Sequence, residues 1–134
     1  MNDEYVGTIE QWVRLADMDL VTAHRIFENH RPMPIEIICF HAQQAGEKII
    51  KGFLVSKGVI PPKIHDLREL LKMCIVIEQG FDLLRKEATL LTRYGVLPRY
   101  PAEYELEESD AETALKYADK IMEYTKGLLF STSN

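Results

Sequence analysis

Phe40-His41-Ala42-Gln43-Gln44-Ala45-Gly46-Glu47-Lys48-Ile49-Ile50-Lys51-Gly52-Phe53-Leu54 is the stretch on which the fold turns. At about 100° per residue, Ile38, Ala42, Ala45, Ile49 and Phe53 fall into one tight apolar stripe. Phe40, Ile50 and Leu54 sit well away from it, and a polar track of His41, Gln44, Lys48 and Lys51 runs between the two apolar surfaces. A helix with one apolar face covers a core; a helix with two is touched on both sides. This one is expected either at the centre of a bundle or shared between subunits, with a polar seam that can hold a ligand.

The flanking sequence is punctuated as a helical protein is. Thr8 with Gln11 makes a capping-box start for a first helix running to about Asn29. Its expected inner face carries Trp12, Leu15, Ala16, Leu20, Ala23, Ile26 and Phe27. Pro32 and Pro34 break the chain, and Pro34 suits the first turn of the second helix, which should run to Lys57 and stop at Gly58. After the extended Pro61-Pro62, a third helix begins near His65 with Leu67, Leu70, Leu71 and Cys74 inward. Gly80 precedes a fourth, with Phe81, Leu84, Ala88 and Leu91 on its inner face, ended by Gly95 and Pro98. The proline- and acid-rich stretch 97–108 reads as an ordered loop. Ser109 with Glu112 forms a second capping box for a final helix bearing Ala111, Ala114, Leu115, Ala118, Ile121, Met122 and Leu129. No segment alternates with period two, so the expected fold is an all-α, up-and-down bundle of four to five helices in one domain over residues 1–134, with 131–134 frayed.

Composition narrows the function classes. The chain of 134 residues is long enough for a core without disulfide or metal. Its apolar runs are far short of a membrane span, and no secretory signal opens it, so a cytoplasmic protein is expected. Cys39 and Cys74 stand singly and read as buried thiols. A net charge of −5 argues against an extended nucleic-acid-binding surface. The charge is uneven, however: six acids crowd residues 103–112, while Lys48, Lys51, Lys57, Lys63 and Arg68 gather around the second helix and the following loop. A local basic surface for phosphate is compatible with that pattern.

Several chemistries lack their residues. No Glu-x-x-His pair, His-Glu-x-x-His, phosphate-cradling GxxxxGK or GxGxxG is present, so neither a metal centre nor a cofactor nor a catalytic residue is assigned. Asp19 stands out because it falls in the middle of the apolar face of the first helix, where a carboxylate needs a partner or a proton. The simpler reading pairs it with Lys48, His41 or a helix start; the sharper one makes it the wall of a polar pocket. His41, Gln44 and Lys48, at i, i+3 and i+7, read either as a solvated strip or as a recognition row for a base or phosphate. His65-Asp66 reads first as a cap of the third helix, and alternatively as an anion site helped by Lys63. In Arg99-Tyr100-Pro101, Arg99 either pairs with the acids beyond it or clamps phosphate, with Tyr100 packing on the bundle end or stacking on a base.

Taken in order, Ala16-x-x-Asp19-Leu20-x-x-Ala23, Phe40-His-Ala-Gln-Gln-Ala-Gly-Glu-Lys48, Gly58-x-x-Pro61-Pro62-Lys63-x-His65-Asp66-Leu67 and Arg99-Tyr100-Pro101 resemble the HEPN domain family over roughly residues 14–129. The likeness is strongest to small stand-alone prokaryotic HEPN proteins related to the sacsin C-terminal domain. It implies a helical bundle that commonly dimerises, for which Phe40, Gln43, Glu47 and Lys51 are the expected contact residues. It also implies a minimal nucleotidyltransferase as partner and a nucleotide as ligand. Other branches are metal-independent ribonucleases, some of them toxins of toxin–antitoxin pairs, marked by Arg followed after four to six residues by His late in the bundle.

The chain departs from that mark. His65 is its last histidine, and Arg25-x-x-x-x-His30 has the spacing but lies at the end of the first helix. Ile64 stands where relatives often carry a capping threonine, and Gly46 replaces a usual alanine, permitting close helix approach at the cost of a looser helix. The expected function is therefore a homodimeric nucleotide- or partner-binding module. In it Lys48 and Arg99 hold phosphate, His41 and Gln44 contact a base or the partner, and Asp19 orients Lys48. A ribonuclease toxin using His41 or His65 with Arg99 is the alternative, and a purely structural dimer the third possibility.

Overall fold

The computed structural model describes residues 6–96 and 105–131. Five α-helices follow in order: α1 (Ile9–Asn29), α2 (Ile35–Ser56), α3 (Leu67–Ile77), α4 (Arg85–Thr92) and α5 (Glu108–Leu129), with a 3-10 segment at Gln79–Leu84. No strand occurs among the described residues.

Each boundary has a local cause. Thr8 Oγ1 accepts from the Gln11 N–H at 3.1 Å and Gln11 Oε1 accepts from the Thr8 N–H at 2.9 Å, the capping box read from sequence. At the end of α2, Gly58 adopts φ +72°, a conformation costly for a residue with Cβ, and Val59 N–H returns to Leu54 O at 3.0 Å. Asp66 caps α3 by accepting from the Arg68 N–H at 2.9 Å. The start of α5 differs from expectation. The reciprocal pair is Glu107 with Asp110, two residues before Ser109, with Glu107 N–H donating to Asp110 Oδ2 at 2.7 Å. In a run of acids the earliest carboxylate that reaches the third N–H takes the cap, and the helix dipole favours it there.

The fourth helix is also modified. Gln79–Leu84 winds as a 3-10 turn before α4, and Phe81 inserts between Phe53 and Tyr124 with ring centroids 4.7 and 5.1 Å away. Gly80 makes this possible, since a Cβ there would lie 2.0 Å from the Tyr124 hydroxyl.

α2 is the centre of the bundle. It packs against α1, α3, α4 and α5 and buries 13 of its 22 residues, more than one face can supply. Ile38, Ala42, Ala45, Ile49 and Phe53 are buried, and so are Ile50 and Leu54 on the second apolar surface. Phe40 is half-buried, edge-on to the His41 ring. The inner face of α1 is narrower than expected: Leu15 is 39% exposed, beside the exposed Met18 and Val21. Of the glycines on α2, Gly52 is the one that close packing requires, because its Cβ would lie 3.0 Å from Trp12 Cβ. At Gly46 a Cβ would meet Leu67, Leu91 and Ile121 at 3.5–3.8 Å, ordinary contact, so the close approach expected there is not what the residue serves.

Candidate functional site

The polar residues of α2 gather around two separate carboxylates, Asp19 and Glu47, and do not form one continuous track. On the α1 side, Asp19 Oδ1 lies 2.8 Å from His41 Nδ1 and Asp19 Oδ2 lies 2.5 Å from Lys48 Nζ. A carboxylate has no hydrogen to give, so His41 Nδ1 carries the proton of this bond. The side chains of Asp19, His41 and Lys48 are 12%, 28% and 25% exposed, so the cluster is a pre-ordered polar patch at the rim of the α1–α2 seam. Gln44, between them in sequence, donates from Nε2 to Gln43 Oε1 at 2.7 Å.

The second network centres on Glu47. Its carboxylate accepts from Lys51 Nζ at 3.0 Å, Gln43 Nε2 at 3.0 Å and His65 Nδ1 at 3.0 Å. Gln43 Nε2 also donates to the His65 carbonyl at 3.1 Å, so the α2–α3 connection is stitched onto α2. Burial pushes the Glu47 carboxyl up, but the hydrogen bonds from Gln43, His65 and Lys51 outweigh it and leave it below the ordinary glutamate range. Gln43, Glu47 and Lys51 are buried within the chain's own fold, which corrects their expected place on a face open to a second subunit. At i, i+4 and i+8 they make a single row, and the returning connection covers it. Their burial is tolerable because each satisfies another.

Asp66 serves as a cap. Besides the Arg68 N–H it accepts from Arg68 Nη2 at 3.0 Å, and these bonds hold its carboxyl below the usual aspartate range. The carboxylate fills the position an anion at this helix start would take. Capping, the first reading of His65-Asp66, is what Asp66 does here, and His65 faces Glu47. Arg99 and Tyr100 lie outside the described residues.

A groove that the sequence did not reveal opens where the start of α1 meets the α2–α3 connection. It has a volume of about 480 Å³, with Trp12, Leu15, Pro61 and Pro62 as apolar walls and Arg14, Lys51 and Lys63 as cations in its lining. No carboxylate belongs to that lining among the described residues. Trp12 is held firmly: its Nε1–H donates to Val6 O at 2.8 Å, its Cβ rests on Gly52, and a Cβ on Gly7, which adopts φ +89°, would lie 3.1 Å from its Nε1. The groove's two sides, at Trp12–Leu15 and Pro61–Lys63, lie roughly fifty residues apart in sequence. The only local hints were an aromatic two residues before an arginine at the start of α1 and a lysine after two prolines.

Two further features stand apart from these clusters. His24 Nε2 bonds Asp119 Oδ1 at 2.8 Å, tying α1 to α5, and Lys120 Nζ donates to the buried Glu87 at 2.9 Å. Cys39 and Cys74 are buried free thiols, as expected. No helix among the described residues is long and apolar enough to cross a membrane.

Comparison with known proteins agrees with this architecture. The family model for the HEPN domain matches residues 9–128. A protein of Methanocaldococcus jannaschii bearing the name "Putative toxin" is 28% identical over 88% of this chain and 86% of its own length. The crystal structure of an archaeal HEPN homologue superposes with a TM-score of 0.72 at 27% identity, covering 92% of this chain and 98% of that one. A protein from Thermus thermophilus shares the fold at a TM-score of 0.69 and 24% identity, over 88% of this chain and 95% of the other.

Proposed function

This chain belongs to the HEPN domain family, and from that premise we propose that it is a homodimeric binding module that takes a nucleotide and acts with a minimal nucleotidyltransferase, without cleaving RNA. The observation that carries this reading is the groove: a concavity of small-molecule size with Trp12 as an apolar wall, Arg14 in its lining and no lining carboxylate among the described residues, in a chain of net charge −5. Lys48, a phosphate ligand by expectation, is engaged by Asp19, and its charge is matched there. The His41–Asp19–Lys48 patch is thus suited to hydrogen-bonding a protein partner more than to attracting an anion. With Gln43, Glu47 and Lys51 covered, the dimer contact falls to half-buried Phe40 and its neighbours one helical turn away, Ile37 (36% exposed) and Gln44.

The full chain is expected to melt at a higher temperature in the presence of at least one nucleotide, and Phe40→Asp to convert a dimer into a monomer by light scattering. If no nucleotide in a broad panel moves the melting temperature, the chain is not a nucleotide-binding module.

A second reading follows from the name of the Methanocaldococcus jannaschii relative, a toxin, and takes this chain for a metal-independent ribonuclease, as the family resemblance allows. It predicts growth arrest on expression and RNA cleavage in the presence of a chelator. Against it stands the lack of any histidine after His65, which leaves the later helices without the imidazole for general acid–base attack by a 2′-hydroxyl.

A further inference from the structure

We propose that the outer ridge of α1 is a self-association surface on which two copies of the chain pair their first helices antiparallel about Val21. Arg14 of each copy then reaches Glu28 of the other, and Asp17 reaches Arg25. This contact is separate from the one at Phe40 and does not rest on it.

The ridge carries apolar area that the bundle leaves uncovered. Met18 and Val21 are 51% and 50% exposed, and Phe130, from the end of α5, is 58% exposed. With Val13 these residues form the apolar part of a concavity of about 580 Å³, whose polar lining is Glu10, Arg14, Asp17 and Thr22. The inward side of α1 is already committed. Ala16 and Ala23 are fully buried, Asp19 is joined to α2, and His24 is tied to Asp119 of α5 at 2.8 Å. At about 100° per residue, Arg14, Asp17, Arg25 and Glu28 fall within about 40° of Val21, and Met18 about 60° from it. The result is a straight seam of the kind that packs against another helix.

Charge selects the occupant. Along the seam the signs run positive at Arg14, negative at Asp17, apolar at Val21, positive at Arg25 and negative at Glu28. Read backwards, each sign meets its opposite. Arg14 and Glu28 stand seven residues either side of Val21, and Asp17 and Arg25 four, so a two-fold axis at Val21 joins both pairs and repeats each by symmetry. No other antiparallel register brings together two oppositely charged pairs from Glu10, Arg14, Asp17, Arg25 and Glu28. The groups are available. Arg14, Arg25 and Glu28 are exposed and their side chains make no ion pair among the described residues. Asp17 holds Lys126 through Oδ1 at 2.6 Å, and a carboxylate has acceptor capacity for a second cation. A surface that is its own complement under rotation is suited to a second copy of this chain more than to an unrelated protein.

The seam from Arg14 to Glu28 is about 21 Å long, so the interface is small and its affinity weak, on the order of 0.1–1 mM. The test is sedimentation equilibrium from about 10 μM to about 1 mM, with Phe40→Asp as the background so that only this surface is read. The mass should rise with concentration from one chain toward two. Val21→Arg, which sets like charges together on the axis, should hold the protein at one chain throughout. Arg14→Glu should weaken association by about tenfold or more, and Arg14→Glu with Glu28→Arg should restore it, because the reversed pairs match again. All three positions are exposed, so melting temperatures close to the parent's establish that each variant is folded. Where Phe40→Asp itself does not fold, the same series on the parent reads association as mass beyond that at high dilution. A mass that stays constant up to about 1 mM overturns the proposal and leaves the ridge to another protein or to solvent. So does an Arg14→Glu variant that associates like its background, or a double reversal that fails to recover.

Discussion

Lys48 Nζ stands 2.5 Å from Asp19 Oδ2, joining α2 to α1 through side chains that are 25% and 12% exposed. Asp19 also accepts from His41 Nδ1, so the carboxylate is the hub and the two α2 groups are its spokes. Removing the hub and removing one spoke therefore differ. Asp19→Ala leaves a half-desolvated ammonium and an imidazole without their acceptor, and should cost about 2 kcal/mol, between the roughly 3–5 of a buried broken pair and the 0–1 of an exposed one. Lys48→Met leaves Asp19 its bond to His41 and should cost about 1 kcal/mol or less, because the methionine stem keeps much of the lysine's packing. Urea unfolding of the two variants checks the order; equal losses would show that Asp19 is not the shared acceptor.

Two glycines should respond to alanine in opposite directions. At Gly46 the added methyl meets Leu67, Leu91 and Ile121 at ordinary contact distances in the middle of a helix, so Gly46→Ala should stabilise by about 0.5–1 kcal/mol. At Gly80 it would fall 2.0 Å from the Tyr124 hydroxyl, and Gly80→Ala should destabilise by about 1–3 kcal/mol. Removing that oxygen leaves the ring's Cζ 3.2 Å away, so Tyr124→Phe should restore part of the loss in the double variant. Thermal melts of the two single variants and the double variant measure both effects, and the absence of rescue would put the strain elsewhere.

How far the sequence could be read depended on whether the deciding contact was local. The two-sided burial of α2 was legible because a helical wheel needs only the helix itself. The partners of Asp19 were legible for a related reason: a carboxylate on an apolar stripe demands a counter-group, and α2 offered His41 and Lys48 on one face. Gln43, Glu47 and Lys51 were instead expected at a dimer contact, because nothing in the sequence of α2 records that the α2–α3 connection folds back and delivers His65 onto Glu47. Leu15 was placed inside for a similar reason; the face of α1 is cut short by how the helix lies on α2, not by its own periodicity. The groove was invisible because Trp12 and Arg14 meet Pro61, Pro62 and Lys63 only after the chain has closed.

The Glu47 network should make the protein acid-labile in a definable window. Glu47 is held below the ordinary glutamate range in the fold, and Asp66 and Glu87 are lowered too, by Arg68 in one case and against burial by Lys120 in the other. With these carboxyls lowered, the folded chain binds fewer protons than the unfolded one at mildly acid pH. The stabilisation is therefore fully present above the unfolded values, about 3.9–4.3, and is lost as pH falls through the lower folded values. Denaturant midpoints should be level near neutrality and drop below about pH 4. Glu47→Gln should be less stable at neutral pH and show a shallower acid limb; an acid limb as steep as the parent's would show that Glu47 does not contribute to it.

The two thiols give the sharpest test of core integrity. Burial pushes both Cys39 and Cys74 up to about 12, with Asp110 and Glu36 adding to the shift at Cys39, and both residues are 0% exposed. The thiolate is the reactive form, so at mildly alkaline pH these sulfurs are protected twice, by access and by ionisation. Folded protein should release almost no chromophore from an aromatic disulfide reagent over minutes, whereas protein in guanidinium should release two equivalents per chain, its full cysteine content. Because Cys39 sits on α2 facing the start of α5 and Cys74 on α3, reaction at one site in native buffer would locate a local opening. Rapid reaction at both without denaturant would mean that α2 is not the enclosed centre of the bundle.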